Sequence, residues 1–254
     1  MIINATTTLT AQRAFNQNTT NFNTSNEKLA TGSRINRASD DPAGLITSEN
    51  FRAVLAAIDS ETRSMQRADH VTATADATLG EVASLTHRAE QLEIKNANEA
   101  GLSKEEQQAN QMEIDQIHES INRQLNNASF NDQNLFDGSL TVSAGDATLS
   151  IDQLSLNSTA TTSEDKLQEL KDFRNTINST RAKLGSFSKN TIASALTTNA
   201  KTTKNIAAAN SKIRDTDYAK QSAESARLQL LTSASTKSLA LTNLQNNQVL
   251  SLLA

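Results

Sequence analysis

The sequence predicts a mainly α-helical protein in which long helices form a coiled-coil-like bundle, the N- and C-terminal helices pair, and one small β-hairpin is present. Three observations lead to this fold class. The 254 residues include only 7 Gly and 1 Pro, which is few for the turns of a many-stranded sheet. Aromatic residues make up 3% of the chain and Trp is absent, which is sparse for a compact globular core. Apolar residues recur at heptad spacing over long stretches.

The N-terminal segment, residues 4–32, is predicted to be a helix that needs a partner. Phe15, Phe22 and Leu29 fall seven residues apart and therefore lie on one stripe of a helix. The Asn and Thr residues around them are mediocre helix formers, and helices draw most of their stability from packing. Such a helix would be marginal alone. An ordinary amphipathic helix within its own domain is equally compatible with this pattern.

Residues 29–45 are predicted to form a linker or a structured elbow, because they hold Gly32, Gly44 and the only proline, Pro42. Asp40 and Asp41 directly precede Pro42 and could cap a helix that begins there. Two adjacent carboxylates could also suggest catalysis or metal binding. No His or third acid is nearby, so the pattern favours capping.

A long helix is predicted from the mid-forties to the mid-nineties, and a second one after a short connection. The long helix carries two interleaved heptad series, which are Phe51, Ile58, Met65, Thr72, Leu79 and Thr86, and Val54, Glu61, Ala68, Ala75, Val82 and Ala89. Ser103 and Glu106 have the spacing of a capping box, which predicts a helix start. The apolar line of that helix is Ile114, Ile117, Ile121, Leu125 and Ala128.

One β-hairpin is predicted at about residues 139–152, where apolar and polar residues alternate on both sides of Gly145-Asp146. A Ser/Thr-rich loop follows, with Ser163 as the predicted N-cap of a third long helix. The seam of that helix is Leu170, Phe173, Ile177, Thr180, Leu184 and Phe187. Because the next heptad positions are polar, we expect the seam to shift towards Ile192, Leu196 and Ile206.

The last segment, from Ile213 to Ala254, carries apolar residues on more than one face and therefore needs several neighbours. Its obvious partner within one chain is the N-terminal helix. The predicted domains are a terminal coiled-coil domain, residues 1–44 with 213–254, and a helical rod domain, residues 45–212, that contains the hairpin.

Several functional classes are not expected. The formal net charge is −4 and no basic cluster stands out, which argues against nucleic acid and anionic membranes as partners. No run approaches the roughly 20 apolar residues of a membrane span, and the N-terminus lacks the pattern of a secretory signal. The chain has no Cys, and His70, His87 and His118 form no catalytic or metal-binding motif. Each His is expected to be solvated, and we expect no catalytic residue, cofactor or metal.

Four segments resemble those of one known family, the bacterial flagellins. Residues 29–44 resemble the N-terminal signature, and residues 213–219 resemble a C-terminal motif. Residues 243–253, ending in Val-Leu-Ser-Leu-Leu, are similar to the final helix of the family. Residues 127–131 with 135–138 give a fourth match. Four long motifs in the right order are more specific than any short pattern.

The resemblance implies an extracellular structural subunit that polymerises into the flagellar filament used for motility. In the family, the paired termini line the inner tube, flanking helices surround it, and the middle of the chain forms outer domains, which are minimal here. The implied export route is the flagellar type III apparatus, without a cleaved signal peptide. The implied partners are the chain itself, the export chaperone, and the hook–filament junction and cap proteins. Two departures are Asn246, where Pro is common, and Ala254, where Arg is frequent.

The residues expected to act in assembly come from both ends of the chain. The apolar residues of the N-terminal helix should face leucines of the C-terminal helix, while charged residues hold the elbow. The full set is Phe15, Phe22, Leu29, Arg34, Arg37, Asp40, Asp41, Tyr218, Leu228, Leu231, Leu241, Leu250 and Leu253.

Flagellins are also ligands of a vertebrate toll-like receptor, and Arg88, Leu92 and Glu113 match family contact positions if one extra residue is allowed between them. The surroundings differ, since His87, Glu90 and Gln91 replace common family residues. A reversed charge at Glu90 would weaken steering towards the receptor. The same residues could equally serve packing.

Two other functions remain open. A hook–filament junction protein shares the terminal helices, although the Val249–Leu253 ending and residues 134–138 argue against it. A secreted coiled-coil ligand or adhesin would have terminal helices that are stable in the single chain. A filament subunit would order them on assembly, when partners cover them.

Overall fold

The computed structural model describes residues 2–98, 101–157 and 162–253, without the side chains of residues 2–5 and 246–253. Helices account for most of the described chain, as the sequence predicts. They are α1 (Ile2–Thr31), α2 (Pro42–Ala97), α3 (Lys104–Asn127), α4 (Ser163–Ser186), α5 (Ala193–Arg214) and α6 (Tyr218–Leu253).

Among the described residues between α3 and α4 there are two antiparallel strand pairs, the predicted hairpin and a shorter pair that was not predicted. The predicted hairpin is the pair β3 (Thr141–Ala144) and β4 (Ala147–Ser150), and the additional pair is β1 (Ser129–Phe130) and β2 (Gln133–Asn134). Asn131 and Asp132 connect β1 to β2 with φ of 52° and 62°. Asn and Asp tolerate this left-handed conformation and favour tight hairpins. Strands of two residues are too short to show an alternating pattern.

The chain divides into two compact units. We call them the terminal unit, which comprises Met1–Leu55 and Lys204–Ala254, and the central unit, which comprises Ala56–Thr203. The predicted division placed both boundaries nearer the chain ends, at residues 44 and 212.

The central unit holds the apolar core, and its α2 residues follow the predicted heptads. From Met65 onwards the positions of both heptad series are buried, through Thr86 and Ala89. Ile114, Ile117, Ile121 and Leu125 of α3 are buried as predicted. The capping box of α3 is confirmed, since Ser103 Oγ accepts from Glu106 N at 3.2 Å and Glu106 Oε2 accepts from Ser103 N at 2.9 Å.

The helix after the Ser/Thr-rich loop begins with a different cap from the predicted one. Thr162 is the N-cap of α4, and its Oγ1 accepts from Asp165 N at 3.2 Å. Ser163, the predicted cap, is the first residue of α4. Both residues can supply a capping oxygen, and the sequence alone does not choose between them.

A π-helical segment, Phe187–Ile192, joins α4 to α5 and explains the predicted shift of the seam. A π-turn adds one residue to the helical repeat. The buried positions therefore continue at Ile192, with Ala195 and Leu196 packed against the core, instead of at Thr191 and Ser194. This confirms the expected shift at Ile192 and Leu196, whereas the third expected residue, Ile206, is half-buried and belongs to the terminal unit. The i+5 spacing lets both Phe187 and Ile192 face the core.

The described residues contain no helix that is both long and apolar enough to cross a membrane. Within them, no group of three or more His, Asp or Glu side chains could hold a metal ion. His70 and His87 are exposed as predicted. His118 is half-buried on α3, so its prediction as a solvated residue is wrong.

Candidate assembly site

The two terminal helices pair within the terminal unit. Their hydrogen bonds join the middle of α1 to the middle of α6, and the end of α1 to the start of α6, so the helices are antiparallel. Pairing of the N- and C-terminal helices was predicted from the apolar surface of the last segment. The contacts that hold the pair were not.

The seam between α1 and α6 is largely polar. Asn18 Nδ2 donates to Ser235 Oγ at 2.8 Å, and Gln221 Nε2 donates to Ser25 Oγ at 2.7 Å. Ser225 Oγ donates to Asn26 Oδ1 at 2.9 Å. Ser25 and Ser225 are themselves buried.

Sequence reasoning missed these residues because it looked for apolar side chains. The sequence did indicate them by their spacing. Asn18 lies three residues after Phe15, and Ser25 lies three residues after Phe22, which is the second seam position of a heptad.

Only some of the apolar residues predicted for this seam are buried or half-buried in the single chain. Phe15, Phe22 and Leu29 are half-buried on α1, and Leu228 of α6 is buried, with 4% exposed. Leu231 and Leu241 are 37% and 59% exposed, so neither is buried in the single chain, and their part in assembly stays a prediction. The α6 seam runs through Gln221, Leu228 and Ser235 at heptad spacing, which leaves those two leucines beside it.

Leu250 and Leu253 fall among the residues whose side chains are not described.

The elbow after α1 is fastened to the segment before α6 by backbone contacts. Arg34 N donates to Arg214 O at 2.6 Å, and Thr216 N donates to Gly32 O at 2.9 Å. Ser33 and Asp215 form an isolated antiparallel bridge. The Arg34 Nη2 atom adds a bond to Ile213 O at 2.8 Å. The elbow therefore fixes where the end of α1 stands relative to the start of α6.

Asp40 and Asp41, which were both predicted to cap α2, accept hydrogen bonds from different parts of the backbone. Asp41 is the N-cap of α2, since its Oδ1 accepts from Gly44 N at 2.9 Å and α2 begins at Pro42. Asp40 Oδ2 instead accepts from Asn36 N at 3.0 Å and Arg37 N at 2.9 Å, inside the elbow. These two backbone bonds favour the ionised form and lower the pKa of Asp40.

Two further contacts brace the elbow. Arg37 Nη2 pairs with Glu27 Oε2 at 3.0 Å, which links the elbow back to α1. Ile35 is buried and is the apolar anchor of the turn. The ion pair lies at the surface, where such pairs contribute little, so the backbone bonds and the Ile35 contact dominate.

Large apolar side chains remain exposed on α6. Leu230 is 73% exposed and Leu244 is 59% exposed, and they add to Leu231 and Leu241. Tyr218, at the start of the helix, is also exposed. Soluble monomers rarely leave so many large apolar side chains on one helix, so this surface fits contacts with other chains.

Of the three residues matched to a receptor contact, Arg88 and Glu113 meet at the surface and Leu92 does not join them there. Arg88 Nε and Nη2 both donate to Glu113 Oε1, at 3.0 and 2.7 Å, on the surface of α2 and α3. Leu92 is buried in the core, with 8% exposed. Glu90 is buried too and accepts from Arg174 Nη1 at 2.8 Å. The prediction that Glu90 reverses the surface charge beside Arg88 is therefore wrong.

Comparison with known proteins gives matches along the chain. The profile of the bacterial flagellin N-terminal helical region matches residues 2–141, and that of the C-terminal helical region matches residues 167–253. A flagellin of Halalkalibacterium halodurans is 32% identical over 246 residues, covering 89% of this chain and 90% of its own. The flagellar filament 33 kDa core protein of Treponema phagedenis is 28% identical and matches over 100% of both chains.

The crystal structure of Bacillus cereus flagellin aligns with a TM-score of 0.48 and 22% identity, over 54% of this chain and 88% of that chain. The two profile matches and the similarity to the flagellin of Halalkalibacterium halodurans show which family this chain belongs to. This chain belongs to the bacterial flagellins, the structural subunits of the extracellular flagellar filament.

Proposed function

We propose that this chain polymerises through its terminal unit, with the exposed leucines of α6 packing against α1 and α6 of neighbouring copies. The observation that carries this proposal is the row of exposed apolar side chains beside a polar, already occupied seam: Leu230, Leu231, Leu241 and Leu244. Burying one leucine stabilises a contact by about 1.5–3 kcal/mol. Contacts between unlike surfaces that do not close into a ring extend into a helical filament.

The polar seam suits a pair of helices that completes its packing on assembly. Hydrogen bonds between neutral side chains contribute only about 0.5–1.5 kcal/mol each. The half-buried residues Phe15, Phe22 and Leu29 add an incomplete apolar contact. We therefore infer that α1 and α6 gain much of their stability from neighbouring subunits, and that they are the weakest part of the single chain.

The elbow orients this assembly surface. Arg34, Arg37, Asp40 and Asp41 hold the turn between α1 and α2, and the backbone bonds to residues 214–216 set where α6 starts. A displaced elbow would turn the exposed leucines of α6 away from their partners. The elbow residues thus act by positioning and need no contact with a neighbouring chain.

Further partners follow from family membership alone. The proposed ones are the export chaperone, the hook–filament junction and cap proteins, with export through the flagellar type III apparatus. A vertebrate toll-like receptor is a further proposed partner, with the exposed Arg88–Glu113 pair as its contact. Because Leu92 is buried, it could contribute to that contact only by supporting α2 from within.

Seeded growth observed by electron microscopy tests the proposal. The purified chain is concentrated, short filament seeds are added, and long uniform tubes are expected. Short caps on the seeds would indicate a hook–filament junction protein, and unpolymerised chains would indicate a secreted ligand or adhesin. Either result would contradict the filament function.

A substitution locates the assembly surface. Leu244→Ser should raise the critical concentration for growth about tenfold or more, since the lost burial is worth about 1.5–3 kcal/mol. Gln229→Ser changes an exposed polar residue of the same helix and is the matched control. If Leu244→Ser grows as readily as the control, this face of α6 does not contact neighbouring chains.

Truncation separates assembly from folding. A chain without residues 1–31 should retain the helical central unit, whose core lies between residues 56 and 203, yet fail to polymerise. Circular dichroism and seeded growth measure the two properties independently. Normal filaments from the truncated chain would refute a role for α1.

A further inference from the structure

The buried face of α2 changes from apolar to polar near the end of the helix. Glu90, Glu93 and Asn96 follow one another at three-residue spacing and are all buried in the central unit. Glu90 is paired with Arg174, and Asn96 Oδ1 accepts from Asn110 Nδ2 at 2.8 Å. Glu93 lies between them with only 1% of its surface exposed, and neither carboxylate oxygen has a hydrogen-bond partner among the described residues.

Two charged groups face Glu93 from the other helices, Lys166 of α4 and Asp115 of α3. The ammonium group of Lys166 does not bond to Glu93. It donates to Gln111 Oε1 at 3.1 Å, and Gln111 Nε2 in turn donates to Asp115 Oδ1 at 2.8 Å. The ammonium group of Lys166 is thus bonded to Gln111, and this bond links α4 to α3. The buried carboxyl group of Glu93 lies nearby without a hydrogen-bond partner among the described residues.

His118 belongs to the same cluster. It faces Asp115, Lys166 and Glu169, and its Nε2 is buried with no hydrogen-bond partner among the described residues. Burial lowers the pKa of His118, so this ring stays neutral at lower pH than an exposed histidine.

A buried carboxylate without donors is costly to ionise, because the charge loses its hydration. This burial raises the pKa of Glu93, with Asp115 adding to the effect and Lys166 partly opposing it. A protonated Glu93 leaves Lys166 free to donate to Gln111, which is the arrangement in the structure. An ionised Glu93 would attract the ammonium group instead.

We propose that Glu93, Lys166 and Gln111 form a proton-dependent switch in the central unit, in which Lys166 bonds to Gln111 while Glu93 is protonated and moves to Glu93 when that carboxyl group ionises. The released proton goes to solvent, and no other covalent bond changes. The link from α4 through Gln111 to Asp115 is lost in the second state. Ionisation therefore loosens the contact between α3 and α4.

The sign of the effect on stability follows from the direction of each pKa change. Because the pKa of Glu93 is raised in the folded chain, its contribution is fully present below the ordinary value of 4.5 and is lost as the pH rises through the folded value. The pKa of His118 is lowered, so its contribution is present above 6.5 and is lost as the pH falls through the folded value. The wild type and a Glu93 variant both contain His118, so the difference between their free energies of unfolding at each pH reports on Glu93.

Carboxyl-carbon NMR on the full, unpolymerised chain tests the switch. Glu93 should titrate above the ordinary value, and the side-chain amide of Gln111 should shift with the same midpoint. In Lys166→Met the Glu93 midpoint should rise further, because the opposing cation is gone. An ordinary midpoint, a Gln111 amide that does not follow Glu93, or a midpoint unmoved in Lys166→Met would each overturn the proposal.

Urea unfolding gives a second measurement. The unfolding equilibrium constant of the wild-type chain should rise relative to that of Glu93→Gln as the pH increases from 4.5 to 8.5, tenfold for each unit by which the Glu93 midpoint is raised. Glu81→Gln, at an exposed position of the same helix, is the matched control and should follow the wild type. A Glu93→Gln chain that also follows the wild type at every pH would refute the switch. If Glu93→Gln does not fold, the NMR titrations of the wild type and Lys166→Met decide the question.

Discussion

Tyr218 lies directly against Gly32, so that a Cβ atom added at Gly32 would come within 2.9 Å of the Tyr218 hydroxyl oxygen. Gly32 follows the last residue of α1, and Tyr218 is the first residue of α6. Gly32 also has φ of 67°, a left-handed conformation that glycine adopts without steric cost. One glycine thus allows both the turn after α1 and the close approach of α6.

Gly32→Ala should destabilise the terminal unit by about 1–2 kcal/mol from the left-handed backbone alone, with a further loss as Tyr218 is displaced. Thermal unfolding followed by circular dichroism and the critical concentration for seeded growth measure the effect. Gly185→Ala is the control, since Gly185 lies in a helix with no atom near its missing Cβ, and it should stabilise by about 0.5–1 kcal/mol. Equal effects of the two substitutions would contradict the role of Gly32.

Asp41→Ala should destabilise the start of α2 by about 0.5–2 kcal/mol, because the Gly44 amide loses its capping oxygen. Asp41→Asn retains a capping oxygen and should keep most of the stability. Urea unfolding of both variants measures the difference. An Asp41→Asn chain as unstable as Asp41→Ala would mean that the charge, and not the cap, is what matters.

Strong acid should weaken the elbow by protonating Asp40. The pKa of Asp40 is lowered by its bonds to the Asn36 and Arg37 amides, so its contribution is present above the ordinary value of 3.8 and is lost as the pH falls through the folded value. Hydrogen exchange at those two amides should therefore accelerate in strong acid beyond the intrinsic change. Asp40→Asn should weaken their protection at neutral pH, and unchanged protection would contradict this account.

Arg174→Met should destabilise the central unit by about 1–3 kcal/mol, because it leaves the buried Glu90 carboxylate without its charged donor. The double variant Glu90→Leu with Arg174→Met should recover much of this loss, since apolar side chains can replace a buried ion pair. Urea unfolding of the single and double variants gives the coupling. Arg123→Met breaks the exposed pair with Glu119 and should cost less than about 1 kcal/mol.

Deletion of Asn190 should be tolerated, which is unusual for a helical residue. The π-helical segment contains one residue more than an α-helical path needs, and Asn190 is exposed within it. Its removal should convert the segment to α-helix while Phe187 and Ile192 stay in the core. Deletion of Asn175, exposed in the middle of α4, should instead rotate every later seam residue and unfold the central unit. Thermal unfolding distinguishes the two, and equal damage would refute the assignment of the extra residue.

The sequence by itself determined the helical class and most of the central core. The heptad positions from Met65 to Ala89 and the line from Ile114 to Leu125 are buried as predicted. Apolar residues that repeat about every 3.5 positions fall on one face of a helix, and that face packs into the core. The capping box at Ser103 and Glu106 was readable for a similar reason, since its bonds are local. The shift of the seam to Ile192 was predicted too, although its cause, the π-turn, was not.

Tertiary structure decided everything that depends on distant partners. Leu231 and Leu241 look like seam residues, yet Ser25 and Asn18 hold the seam through bonds to residues about two hundred positions away along the chain. The exposure of the α6 leucines, the burial of Glu90 and the isolation of Glu93 likewise depend on which helices meet. Local patterns specify periods and caps, whereas the identity of a helix's neighbours is a property of the folded chain. That neighbourhood decides whether a side chain serves the core, the seam or assembly.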